Sequence, residues 1–320
     1  MAIKLARGND ESVVVTGASS FVGYHLCKYL SKFWNVYAVI SNDLEKYDGV
    51  KRIRLEDLGG RVNWKVCDIG DEESIRKLIR EVKPKIWVNH AGYVVGYAGS
   101  EFNVAEANRL NIAPLRYVYE GLAEVDCRGV IVTGSSMEYS AAKEPSVESE
   151  LCAPYTAYGL SKLVETMSAC RYAEDFGIPT RVARLFNPYG KLDGPEKLIS
   201  YVVRMLARGE EVELTSCLLQ RDFIYIENVA NAYQLMLDDL GRGGWDIFNV
   251  STGKALSLRM VIREIARKMG AQEKLLKFGA REDRAGEPAI SHGDCEKARR
   301  ILNWDPGEFG EGLEKMLADG

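Results

Sequence analysis

Histidine is scarce in this sequence, with three in 320 residues at positions 25, 90 and 292. They stand far apart, which argues against a histidine-rich metal centre. The seven cysteines (27, 67, 127, 152, 170, 217 and 295) are odd in number and form no C-x-x-C pair. Neither a zinc site nor a disulfide framework is suggested. No run approaches the ~18 apolar residues of a membrane-spanning helix. The opening MAIKLARGNDES turns polar after Leu5 and lacks the apolar stretch of a secretory signal. An excess of positive charge is missing too: 42 Lys and Arg stand against 46 Asp and Glu, a formal charge of -4. Broad nucleic-acid binding needs a basic face, so that class is excluded, although a local cationic pocket for a phosphate is not. The expectation is a cytoplasmic protein in a reducing compartment, with neither membrane nor nucleic acid as partner. With 46% hydrophobic and 28% charged residues, the composition is that of an ordinary globular chain.

What the chain does have is alternation. Short β-branched runs at Ser12–Thr16, Val36–Ile40, Val62–Val66, Lys85–Asn89, Gly129–Thr133 and Thr180–Leu185 are separated by amphipathic stretches near 22–33, 71–82, 102–124 and 157–176. Strands alternating with helices imply βαβ units and a parallel sheet. The alternation weakens after Asn187, where helices near 195–208, 227–239, 257–269 and 311–318 mix with isolated strands at Asp222–Tyr225 and Asp246–Val250. The expected fold is α/β: a doubly wound parallel sheet of the Rossmann type over residues 10–187, with a return segment at 221–251. A smaller, mostly helical C-terminal substrate domain would take 188–220 and 252–320.

The first strand runs into Gly17-Ala-Ser19-Ser20-Phe21-Val22-Gly23 and then a helix. A dinucleotide site needs that placement: glycines for a tight turn, for approach of the backbone to the pyrophosphate, and for packing of helix on strand. Free N–H groups at the helix start then meet the phosphates. Ser20 stands where a middle glycine is usual, so its Cβ narrows the approach. An acid about 20 positions on would bind the ribose 2′-hydroxyl and favour NAD. The residue near that place is Ser41, with Asp43 further into the loop and no Arg adjacent. NAD and NADP both remain open.

A Tyr-x-x-x-Lys pair in a helix puts phenol and ammonium on one face. The cation stabilises phenolate and lowers the Tyr pKa from its reference ~10, making a proton donor and acceptor near neutrality. The spacing occurs four times, at Tyr24/Lys28, Tyr47/Lys51, Tyr139/Lys143 and Tyr158/Lys162. The first sits in the helix after the glycine turn, where packing is the expected role. The second and third read as loops. Only Tyr158/Lys162 opens a long helix after the strand Gly129–Thr133, whose carboxyl end carries Ser135 and Ser136. Ligands sit beyond the carboxyl ends of such strands, so Ser135 and Tyr158 can converge on one substrate oxygen.

These motifs, with C-D-I (67–69), N-H-A-G (89–92), G-S-S-M-E-Y (134–139), R-L-F-N-P-Y-G (184–190), R-D-F-I-Y-I-E-N-V (221–229), R-A-G-E-P (284–288) and L-N-W-D-P (302–306), follow one order. The chain resembles, from about residue 12 to 306, an extended short-chain dehydrogenase/reductase of the nucleotide-sugar epimerase, dehydratase and ketoreductase family. The resemblance implies that Asp68 and Ile69 contact adenine and that Ala91 and Gly92 lie beside the cofactor's ribose and phosphates. It makes Ser135 the holder of the reacting oxygen, Tyr158 the acid/base and Lys162 the partner of both Tyr158 and the nicotinamide ribose. Ser136 and Asn187 would touch the substrate, and Arg221 and Arg284 would clamp its diphosphate. Arg221 has a second reading, a structural ion pair with Asp222. Arg284 has one too, a solvated charge among acids, and Asn187 another, the cap of a turn. His90 and His292 read as structural. A homodimer through the helices near 102–124 and 157–176 is also implied.

Family dehydratases carry acids directly after the Ser or Thr, where this chain has Ser136 and Met137, and Glu138 comes one residue late. Dehydration and decarboxylation are therefore disfavoured. A 4-keto-6-deoxysugar reductase is the preferred reading, because G-S-S-M-E-Y and the stretch F-G-A-R-E-D-R-A-G-E-P resemble those enzymes. The alternative is a nucleotide-sugar 4-epimerase that keeps its NAD. A steroid- or flavonoid-type reductase would not need Arg221 and Arg284. A non-catalytic dinucleotide sensor would not need Tyr158 and Lys162.

Overall fold

Seven short strands line up in parallel as one sheet in the computed structural model, which describes residues 11–318 except 98, 100, 142 and 285. They are β1 (Ser12–Thr16), β2 (Asn35–Ile40), β3 (Asn63–Val66), β4 (Ile86–Asn89), β5 (Gly129–Ser135), β6 (Thr180–Leu185) and, last in the chain, Trp245–Val250. The order across the sheet is Trp245–Val250, β6, β5, β4, β1, β2, β3. The chain thus winds outward one way from β1 through β2 to β3, then returns to β4 on the other side. That reversal leaves a crevice beyond the carboxyl ends of β1 and β4, the usual ligand position in such sheets.

Strand β1 shows why these runs make a central sheet. Val13, Val14 and Val15 are all fully buried. Val13 and Val15 join the apolar cluster on one face, which includes Leu26, Leu30 and Leu237, and Val14 joins the one on the other, which includes Ile79, Leu115 and Val118. Side chains alternate across a strand, so covering both faces with helices demands a continuous apolar run. The first cluster continues beyond the sheet to Ile199, Val261 and Leu313, so the later helices share the same core.

Two helical expectations change. The segment holding Tyr47/Lys51 is not all loop: Gly49–Leu58 is a helix. The stretch 102–124 is not one regular helix either. It begins at Val104, makes one wide turn at Asn108–Ile112 and continues as Ala113–Ala123. Pro114 lacks the N–H that a regular ladder would send back to Leu110, and the turn widens there. After β6 the chain adds helices at Leu198–Ala207, Ile226–Asp239, Leu258–Lys268, Glu296–Leu302 and Phe309–Ala318, with two- and three-residue strands among them. Among the described residues, no helix is long and apolar enough to cross a membrane. All seven cysteines are free thiols.

Candidate active site

The tips of β1 and β4 are tied together by Thr16, whose hydroxyl accepts from the backbone N–H groups of His90 and Ala91, both at 2.9 Å. Gly17 follows with φ +75°, and a Cβ on it would sit 2.9 Å from Ala91 Cα. Left-handed backbone and close approach both demand glycine there. A Cβ on Gly23 would come within 2.2 Å of the Gly17 carbonyl oxygen. Ser20 is different: its backbone is extended (φ −73°, ψ 166°), which any residue adopts. Its hydroxyl accepts from Gly23 N–H at 3.0 Å, capping the helix Phe21–Leu30, and lies 2.9 Å from His90 Nε2. The side chain expected to crowd the turn is therefore engaged with its own helix and with His90. Behind the turn, the Ser19 carbonyl accepts from buried Arg54 at 3.0 Å, and Phe21 packs edge-on against His25. Val22 is buried. A cradle that side chains at two positions would fill, opening a helix N-terminus, fits a dinucleotide pyrophosphate.

Ser41 lies one residue beyond β2, and its amide and hydroxyl both bond the Tyr47 hydroxyl at 3.1 Å. Asp43 is drawn toward Lys46, 3.9 Å away. Asp68, exposed after β3, accepts from Gly70 N–H at 2.8 Å, and Ile69 beside it is half-buried. Ala91 and Gly92 follow β4. A Cβ on Gly92 would lie 2.9 Å from Asn111 Oδ1, which accepts from Tyr93 N–H at 2.6 Å. The wide turn at Asn108–Ile112 delivers Asn111 to that spot.

At the end of β5, Ser135 accepts from Met137 N–H at 3.1 Å while Glu138 accepts from Ser135 N–H at 2.7 Å. This reciprocal cap turns Glu138 inward, where it is fully buried and pairs with Arg184 at 2.8 Å. The late acid of the sequence is thus spent on structure, and Ser136 and Met137 occupy the neighbouring half-buried positions.

Thr156 caps the helix Ala157–Phe176 by accepting from Gly159 N–H at 3.0 Å. Gly159 presses on the β5 end so closely that a Cβ would lie 2.0 Å from the Met137 carbonyl oxygen. That contact brings the first helical turn, with Tyr158, to Ser135. Tyr97 and Phe102 flank the Tyr158 ring edge-on, with centroids 5.6 and 5.7 Å away. One turn on, buried Lys162 pairs with buried Glu165 at 2.5 Å, and Glu165 also accepts from Asn89 Nδ2 at 3.1 Å.

These neighbours correct one expectation. Burial pushes the Tyr158 phenol above its ordinary value; Lys162 pulls it down, Glu165 pushes it up, and the Ser135 hydroxyl pulls it down. The net direction is upward, because the buried site penalises phenolate and Glu165 offsets part of the Lys162 charge. Burial works against the Lys162 charge, but Glu165 and Tyr158 more than restore it, so its pKa rises and it stays cationic.

In the C-terminal part, Arg221 pairs with Glu287 at 2.9 Å and donates to the carbonyls of Gln220 and Pro288, each at 2.9 Å. Arg284 is well exposed and stands 3.7 Å from the same Glu287. The two arginines therefore do meet, around a carboxylate. The alternative pairing of Arg221 with Asp222 does not form: Asp222 accepts instead from Thr252 N–H and hydroxyl at 2.8 and 2.6 Å and from Gly253 N–H at 3.0 Å. Asn187 donates through Nδ2 to the Asp222 carbonyl at 2.9 Å, inside the seam where Asn187–Tyr189 pairs with Phe223–Tyr225. Tyr155 feels both Arg221 and Glu287, as well as Tyr97, which links this cluster to the Tyr158 end.

Sequence reasoning missed Glu165, Asn89 and the Tyr97/Phe102 flank. Glu165 had a signal, an acid three residues after Lys162 on a helix whose neighbouring positions are apolar. The aromatic flank had none, since a loop's path is not periodic.

The model of the NAD dependent epimerase/dehydratase family matches residues 13–251. The chain belongs to that family, and its cofactor is a nicotinamide dinucleotide. Among curated relatives it is 24% identical to UDP-glucose 4-epimerase 2 of Arabidopsis thaliana, over 97% of this chain and 93% of that protein. It is 25% identical to the CDP-abequose synthase of Salmonella muenchen, over 97% and 98%. Its fold matches that of the UDP-glucuronic acid 4-epimerase of Bacillus cereus, solved with UDP-glucuronic acid and NAD, with a TM-score of 0.82, 22% identity, and coverage of 96% and 98%.

Proposed function

We propose that the protein catalyses oxidation and reduction at C4 of a nucleotide-diphosphate sugar, as a 4-epimerase. The carrying observation is the placement of Ser135 and Tyr158 at one strand end with no ionisable side chain at 136 or 137, and with Glu138 held by Arg184. Dehydration needs an additional acid and base at the sugar, and those positions supply neither. The preference drawn from sequence for a 4-keto-6-deoxysugar reductase gives way here, because several relatives of comparable identity are described as UDP-glucose or UDP-glucuronate 4-epimerases. The reductase stays as the second reading, favoured by the G-S-S-M-E-Y string.

In this reading Gly17, Ser19 to Gly23, Ser41, Asp68, Ile69, Ala91 and Gly92 hold the dinucleotide, which supplies hydride exchange at C4 when bound. Tyr158 takes the proton of the C4 hydroxyl and later returns it. The Ser135 oxygen already accepts from Met137 N–H, so its own proton is free to hold the sugar oxygen. Lys162 stabilises phenolate and holds the nicotinamide ribose. Ser136 and Asn187 line the sugar, and Arg221 and Arg284 hold the diphosphate with their fork of donors.

The test is a panel of UDP-sugars and their 4-keto derivatives with NAD, NADH or NADPH. An epimerase inverts C4 with no net change in cofactor. A reductase consumes reduced cofactor in step with product. No reaction at C4 with any of them overturns both readings.

A homodimer is part of the same proposal. Leu160, Val164 and Met167 recur at helical spacing on the outer face of the helix Ala157–Phe176 and are 54%, 39% and 55% exposed. Light scattering at micromolar concentration should give twice the chain mass, and a monomer mass refutes it. A cytoplasmic setting suits the seven free thiols.

A further inference from the structure

Three polar side chains that the proposed chemistry does not use form a line through the protein to Ser20. Tyr233, fully buried in the helix Ile226–Asp239, places its hydroxyl 2.7 Å from Thr133 Oγ1 on β5. Thr133 Oγ1 lies 3.0 Å from His90 Nδ1. His90 Nε2 lies 2.9 Å from Ser20 Oγ, which also accepts from Gly23 N–H at 3.0 Å.

Proton counting gives the line a direction. Among the described residues, the Tyr233 hydroxyl has no partner but Thr133, and a buried hydroxyl must donate to something. It therefore donates to Thr133, whose own proton is left for His90 Nδ1. Burial, aided by Lys162, pushes the His90 imidazole down to about 3, so it is neutral and carries one N–H. With Nδ1 accepting, that N–H is on Nε2 and points at Ser20. The Ser20 oxygen then accepts twice, and its own proton is uncommitted at the start of the helix Phe21–Leu30.

We infer that Tyr233, Thr133 and His90 are positioning residues that hold the Ser20 hydroxyl as a donor to the dinucleotide's pyrophosphate. The inference rests on the glycine turn being the dinucleotide site. A glycine at position 20 would allow main-chain approach; here a side-chain donor, aimed from behind by His90, replaces it. The sequence-based view of Ser20 as an obstruction and this view make opposite forecasts.

The experiment is equilibrium binding of NAD and of ADP-ribose, which keeps the pyrophosphate and lacks nicotinamide. Ser20→Gly and Ser20→Ala should each weaken both ligands about tenfold, the effect of one hydrogen bond to a charged group. His90→Phe should weaken both several-fold, His90→Gln should restore most of the loss by keeping an N–H toward Ser20, and neither should matter in the Ser20→Ala background. Apo melting temperatures separate binding from folding, since a glycine cap costs a helix little. Equal or tighter binding by Ser20→Gly overturns the inference and leaves the site intact. Failure of the wild-type protein to bind either ligand overturns the site itself.

Discussion

Two Tyr-x-x-x-Lys pairs in this molecule share a spacing and differ in everything around it. In the helix Phe21–Leu30, Lys28 donates to the Tyr24 hydroxyl at 3.1 Å, a closed contact. Asp57 accepts from both, at 2.6 Å from Tyr24 and 2.9 Å from Lys28. Burial and the Asp57 bond push the Tyr24 phenol up against the pull of Lys28, and its proton is committed to a carboxylate. At Tyr158 and Lys162 the carboxylate stands under the lysine instead. Glu165 takes the Lys162 ammonium and leaves the phenol facing Ser135 in the crevice. Spacing places the phenol and the ammonium; the third group decides whether the phenol can exchange its proton with a ligand.

The sharpest way to break this comparison is to remove each hydroxyl. Tyr158→Phe should lower turnover by about 10²–10⁴-fold, the usual contribution of acid/base catalysis, with dinucleotide binding retained. Tyr24→Phe should leave turnover unchanged and cost about 1 kcal/mol of stability in denaturant melts. Steady-state rates that fall for Tyr24→Phe and not for Tyr158→Phe would reverse the assignment.

The next effect lies at the far end of the cleft. Arg284→Ala should weaken nucleotide-sugar binding about tenfold, the value of a charge-assisted contact, while dinucleotide affinity stays the same. Calorimetry with each ligand separately checks this, and equal loss of both refutes it.

Subtler still is the pH profile. In the proposed oxidation Tyr158 acts as phenolate, so the rate should rise with pH through its pKa. Glu165→Gln removes a charge that raises this pKa, so the rising limb should move to lower pH. Lys162→Met removes one that lowers it, and the limb should move to higher pH. No shift in either variant would show that neither charge acts on the phenol, and the same direction in both would overturn one of the two assignments.

The smallest effect should come from Asp57→Asn. Its ion pair with Lys28 is 39% exposed on both sides, and exposed pairs contribute ~0–1 kcal/mol. A slightly lower melting temperature with unchanged kinetics is expected.

How much of this was legible beforehand follows the physics of each element. Strand β1 was readable because a strand buried on two faces must be apolar throughout. The helix Gly49–Leu58 was not, because it starts at a glycine of φ +52° with no side-chain cap and buries only Arg54, Leu55 and Leu58. Tyr158 was singled out through its position after β5. The sign of its pKa was not: an acid three residues after Lys162 hints at a partner for the lysine, but its burial shows only once Asn89, brought in on β4, meets it. Arg221 and Arg284 were read as a diphosphate clamp; the structure shows both beside Glu287, a loop residue that no periodicity locates.

Gly159 sets a mechanical tolerance. It leaves no room between the helix Ala157–Phe176 and the Met137 carbonyl, so the spacing of Ser135 and Tyr158 is fixed by direct seating of one element on another. An alanine there would act as a shim. It would touch no reacting atom, yet a displacement of about 1 Å at a reacting centre can cost on the order of 10²-fold in rate. The absence of a single methyl group gauges the proposed active site.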